Sequence, residues 1–144
     1  MSFQACIVND ILFVRWFETE LGDHARILEQ VRAHHAVHGK LVASVTILCT
    51  DMKVPTTPFT DSSVKTLRAM APLIDTFFLV VEAEGLRYTV LRTVGVMVTF
   101  LAGIRDRAFV VRSVDDLLQQ LADKTPHKPQ ATLTALRELG LLAS

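Results

Sequence analysis

A chain of 144 residues, half of them hydrophobic, has enough apolar material for one self-supporting core and needs neither disulfides nor metal to close it. Fifteen basic and fifteen acidic residues cancel to a formal charge of zero, which removes the long-range field that draws proteins to nucleic acid or anionic lipid. The two cysteines, Cys6 and Cys49, cannot build a disulfide framework and sit in apolar runs, where a buried, inert thiol is the usual occupant; this favours a reducing, cytoplasmic setting.

The opening residues "MSFQACIVND" lack the basic stretch and long apolar run of a leader and are read as structure. "FQACIV" and "ILFVRWF" are strand-like runs separated by Asn9 and Asp10, two residues that accept the positive φ of a tight turn, so a hairpin is expected. "LGDHARILEQVRAHHAVHGK" follows with Leu21, Leu28 and Val31 at helical spacing and Gly39 as a stop. "LVASVTILCT" is apolar on both faces, as a strand at the centre of a covered sheet should be.

Pro55, Pro58 and several threonines make "DMKVPTTPFT" the longest expected loop, with a helix from about Asp61 to Ile74 after it. "TFFLVVEA" then reads as a buried strand and "GLRYTVLRTVGVMVTFLAGI" as a long helix. Its apolar stretch, bounded by Arg92 and Arg105, is too short to cross a bilayer. "AFVVRS" is a short strand, and "VDDLLQQLA" a helix capped by Ser113 with Asp115 and Asp116 in its first turn. The expected division is one domain over 1–123, then a linker with a short terminal helix over 124–144. Alternating strands and helices imply right-handed crossovers. The predicted fold class is therefore α/β: a mixed, mostly parallel sheet of about five strands with an N-terminal hairpin, flanked by helices, plus a C-terminal tail helix.

This order resembles the SpoIIAA-like branch of the STAS superfamily and the small STAS/SEC14-like domains. The resemblance is carried by "FQACIVNDILFVRWF", "FFLVVEA" and the closing "AFVVRSVDDLLQQLA", and spans roughly residues 3–122. Anti-sigma-factor antagonists of that family carry Asp-Ser-Ser-Gly at the start of their second helix, and "DSSV" matches it at Asp61, Ser62 and Ser63, with Val64 in place of glycine. The resemblance implies Ser63 as a phosphate acceptor. The residues themselves leave two readings open: these three are an ordinary helix cap, or they form a phosphorylation or anion site facing free helix N–H groups.

Among the histidines, His24, His35 and His38 fall with Val31 near the apolar stripe of the first helix. His34 and His38, four apart, are the weak candidates for a metal, but no CxxC or HExxH accompanies them, so structural or surface histidines are expected and no metal. In the helix after Gly85, the spacing sends Leu86, Val90, Val94, Met97 and Leu101 toward the sheet. Arg92, Val96 and Phe100 then face outward as an interaction surface, unless the tail helix covers them through Leu133, Leu136 and Leu139. Asp51 and Asp75 lie near strand ends without a paired acid, base or nucleophile, and no glycine-rich phosphate loop follows any strand, so no catalytic residue and no cofactor is expected. The functional expectation is a non-enzymatic, regulatory protein-interaction module, with a protein partner or a second copy of the chain and no nucleic acid. The alternative is a carrier for a small apolar ligand or lipid.

Overall fold

Asn9 and Asp10 adopt φ values of 52° and 61°, and the two-residue turn they form folds β1 (Phe3–Val8) back on β2 (Ile11–Trp16). The pair is antiparallel, with Val8 opposite Ile11 and Phe3 opposite Trp16. In the computed structural model, which describes residues 2–20, 22–49, 52–124 and 129–138, the chain then alternates. It runs through α1 (Asp23–His38), β3 (Leu41–Leu48), α2 (Thr57–Met70), β4 (Ile74–Val81), α3 (Gly85–Leu101), a 3₁₀ turn at Arg105–Arg107, β5 (Ala108–Val111), α4 (Val114–Lys124) and α5 (Pro129–Glu138). Gly39 ends α1 at φ 83° with its N–H on the His35 carbonyl, and Ser113 Oγ accepts from Asp116 N at the start of α4.

The five strands stand in chain order, β1-β2-β3-β4-β5, and every pair after the hairpin is parallel. Successive right-handed crossovers that always advance to the next neighbour place their helices on one face of the sheet. The core divides accordingly. Ile27 and Val31 of α1, Phe59 and Val64 of α2, and Leu91 and Val98 of α3 pack on Leu12, Val14, Trp16 and Leu48. On the opposite face, Leu117 and Leu121 of α4 and Leu133 and Leu136 of α5 cover Ile11, Phe13, Val45, Ile47, Phe78 and Val80. The α/β class, the mixed five-stranded sheet, the flanking helices and the terminal helix are thus as the sequence predicts. Among the described residues no helix is long and apolar enough to cross a membrane.

Two elements differ from expectation. Helix α2 begins at Thr57, one turn before Asp61, because Pro58 falls in its first turn, where a missing N–H breaks no bond. Pro58 therefore starts the helix inside the stretch expected as a loop, of which residues 52–56, Pro55 included, remain irregular, and Ile74 opens β4 instead of closing α2. In α3 the sheet-facing stripe is Leu91, Val94, Gly95 and Val98, continued by Ala102 after the last turn. Gly95 lies at this contact: a Cβ there would overlap Leu79 Cδ2 of β4, so a larger residue would require the Leu79 side chain to shift. Leu86, Met97 and Leu101, expected against the sheet, are 80%, 45% and 46% exposed.

Candidate functional site

The cap of α2 is Thr56, whose Oγ1 accepts from Phe59 N, and not Asp61 or either serine. Asp61, Ser62 and Ser63 lie in the second turn, past the free N–H groups that would hold an anion, so the expected N-terminal anion site is not formed there. Asp61 is exposed; the serines point elsewhere. His24, at the start of α1, reaches across to both, with Nδ1 2.9 Å from Ser62 Oγ and Nε2 3.0 Å from Ser63 Oγ. Ser63 Oγ also lies 3.0 Å from the Phe59 carbonyl, to which it donates in one arrangement.

A neutral imidazole fits this set with its proton on either nitrogen. With Nε2 protonated, Ser62 donates to Nδ1 and Ser63 donates to the carbonyl. With Nδ1 protonated, Ser63 donates to Nε2 and Ser62 accepts. Both arrangements spend the ring proton and the Ser63 hydroxyl proton within the cluster and leave Ser63 Oγ a spare lone pair. His24 is only 7% exposed and sits among rings: its centroid is 5.3 Å from that of Trp16 and 4.6 Å from that of Phe59, while Trp16 and Phe59 meet edge to face at 5.2 Å. Burial pushes its pKa from 6.5 down to about 4, against the opposing pull of the neighbouring Asp23 carboxylate, so at neutral pH the ring is uncharged.

Below this cluster, between the sheet and helices α2 and α3, lies a cavity of about 140 Å³. Trp16, Phe59, Leu91 and Val98 are among its apolar walls, and His24 and Ser63 form part of its lining. Leu12, Val14 and Trp16 of β2 and Ser44, Thr46 and Leu48 of β3 line it along the sheet face. Ser44 and Thr46, consecutive inward positions of β3, and Thr66 of α2 add hydroxyls to the wall. Sequence reasoning passed over these three. The available signal was the pair of hydroxyls at i and i+2 in "LVASVTIL", which the pleat must send to one face.

The remaining candidates are scattered. Arg92 and Phe100 of α3 are exposed, but Val96 is half-buried and lines the cavity instead of sharing their face. Leu133 and Leu136 lie on the far side of the sheet, so these residues of the tail helix do not cover Phe100; Leu139 and Asp51 are outside the described residues. His34 meets His38 at 4.8 Å between ring centroids and bonds Asp10 Oδ1 at 3.2 Å. Among the described residues no group of three metal-ligating side chains converges. His35 and His38 are exposed and share nothing with the buried stripe of His24 and Val31. Cys49 is half-buried, not sealed in apolar surroundings, and Arg15 Nε donates to its sulfur at 3.1 Å. Cys6 is also half-buried, and desolvation raises its thiol pKa. Asp75 is exposed beside Lys40.

Comparison with known protein families, with curated proteins and with solved structures finds no match to this chain. The chemistry of the site therefore rests on its own geometry.

Proposed function

We propose that this domain binds a small, largely apolar molecule in the cavity between its sheet and helices α2 and α3. The observation that carries the reading is the cavity itself: packed protein interiors leave few voids larger than a water, and about 140 Å³ is comparable to a cavity that takes up benzene. A mostly apolar wall with a few polar groups is what small-molecule sites require. The resemblance of the hairpin, "FFLVVEA" and the closing strand and helix to STAS/SEC14-like domains supports a carrier. The test is native mass spectrometry of the protein purified from its own cells, beside Val94→Phe, which fills the cavity. A reproducible added mass that leaves on denaturation and is missing from the variant is the expected result. Protein without added mass, whose melting temperature is also unmoved by saturating benzene, would sink the reading.

A second reading, a cytoplasmic protein-interaction module, is favoured by the outer face of α3, where Leu86 and Phe100 are 80% and 69% exposed beside Met97 and Leu101. A second copy of the chain or another protein would cover this face. Phosphorylation of Ser62 or Ser63 belongs to this reading and would act by breaking the hydrogen bond to His24 and loosening α1 from α2.

A further inference from the structure

The cavity wall contains a polar group. Ser44 is 3% exposed, lies between Leu12 of β2 and Phe77 of β4 in the sheet, and lines the cavity, where its hydroxyl makes no side-chain hydrogen bond among the described residues. A hydroxyl on a mostly apolar wall offers one donor and an acceptor to whatever occupies the space beside it. Thr46, two residues on along the same face, and Thr66 opposite it on α2 also line the cavity without a side-chain hydrogen bond among the described residues. At the upper end, Ser63 Oγ can still accept one bond after its contacts with His24 and Phe59 are made.

Resting on the reading of the cavity as a ligand site, we infer that its occupant is an uncharged, single-ring molecule carrying a hydroxyl, held by hydrogen bonds to Ser44. Size, walls and polarity each contribute to this. The volume suits one ring, and the rings of Trp16, His24 and Phe59 provide flat walls at one end. The buried lining holds no charged side chain: His24 is neutral, and the cationic Arg105 is exposed in the turn after α3. A carboxylate drawn into this slot would lose its hydration without gaining a counter-charge, so an anion is rejected. A hydroxyl is accepted, because Ser44 can both donate and accept while Ser63 accepts only.

The inference is tested by measuring binding of phenol, benzene and benzoate to the whole protein and to Ser44→Ala, by titration calorimetry and by the shift in melting temperature. Phenol should bind about five- to tenfold more tightly than benzene, the worth of one net hydrogen bond, and benzoate should not bind. Ser44→Ala should lower phenol affinity to that of benzene and leave benzene unchanged. Equal affinities for phenol and benzene in the unaltered protein, binding of benzoate, or an equal loss of both ligands in Ser44→Ala would overturn the assignment of Ser44 while the cavity reading stands. If neither phenol nor benzene binds, the cavity reading fails and this inference falls with it.

Discussion

The two faces of the sheet are built from the same strands and differ in what they enclose. In β3 the residues Ala43, Val45 and Ile47 look toward α4 and α5, and all are fully covered by Phe13, Phe78, Leu117 and their neighbours. Ser44 and Thr46 look the other way, toward α2 and α3, into space. One strand thus contributes a dry, filled core on one side and a hydroxyl-lined slot on the other. Filling both faces would bury more apolar surface, and this difference in packing is the observation on which the proposed ligand site rests.

The largest expected effect lies on the filled face. Phe13→Ala removes a fully buried ring and should cost about 3–5 kcal/mol, measured as a fall in the denaturation midpoint. Enlarging the existing space with Val94→Ala, a partly buried residue beside the cavity, should cost no more than about 1.5 kcal/mol. Equal losses at the two positions would mean that the faces are packed alike.

The next effect separates the faces by pH. His24 has a folded-state pKa of about 4 against 6.5 when unfolded. Above pH 6.5 neither state binds the proton and the domain keeps its full stability. As the pH falls below 6.5 the unfolded chain takes up a proton that the folded one refuses, so stability drops until about pH 4, by about 3 kcal/mol in all. His24→Phe should flatten that part of the pH profile of unfolding. If the slope is the same in the variant, the imidazole is not buried in neutral form and the polar end of the cavity is misdescribed.

Smaller again are the buried hydroxyls, one on each face. Thr132 Oγ1 of α5 is buried without a partner against the filled core, and the Ser44 hydroxyl faces the slot without a side-chain hydrogen bond among the described residues. Thr132→Val and Ser44→Val should each raise stability by about 1 kcal/mol, seen as higher denaturation midpoints. Only Ser44→Val should also lower phenol affinity, by at least about five- to tenfold, the worth of the lost hydrogen bond.

Most of the framework was legible because it rests on local chemistry. Asn9-Asp10 could only be a tight turn, Gly39 and Ser113 stop and start helices, and "LVASVTIL" buries both faces as its composition says. The misreadings came where a distant neighbour decided the outcome. Pro58 looks like a breaker until the first turn of α2 is seen around it, and the close contact of Gly95 with Leu79, sixteen residues away, is invisible to helical spacing. The candidate site was half legible. Ser62 and Ser63 were singled out, but as a helix start, which Thr56 makes instead; their hydrogen-bond partner, His24, lies 38 and 39 residues earlier and no spacing rule joins them. Ser44 was hidden in a strand whose hydrophobicity was the more obvious signal.

The smallest effect on stability concerns the outside of α3, and it tests whether the open face also has an outer role. Leu86, Met97, Phe100 and Leu101 lie on the solvent side of the helix, away from the Leu91, Val94 and Val98 stripe that walls the cavity. An exposed residue without a partner can be changed with little consequence, so Phe100→Asp should shift unfolding by less than about 0.5 kcal/mol. If a second copy of the chain covers this face, the same substitution should lower the sedimentation-derived mass from that of a dimer to that of a monomer, because a carboxylate cannot enter an apolar contact unpaired. If the unaltered protein is already a monomer, a second copy is excluded from this face. Because α3 carries the cavity on its inner side, the two roles are separable: Phe100→Asp should leave phenol affinity unchanged, and Ser44→Ala should leave the mass unchanged. Loss of both by one substitution would mean that occupation of the slot and docking on the helix are a single event, with α3 as the element that couples them.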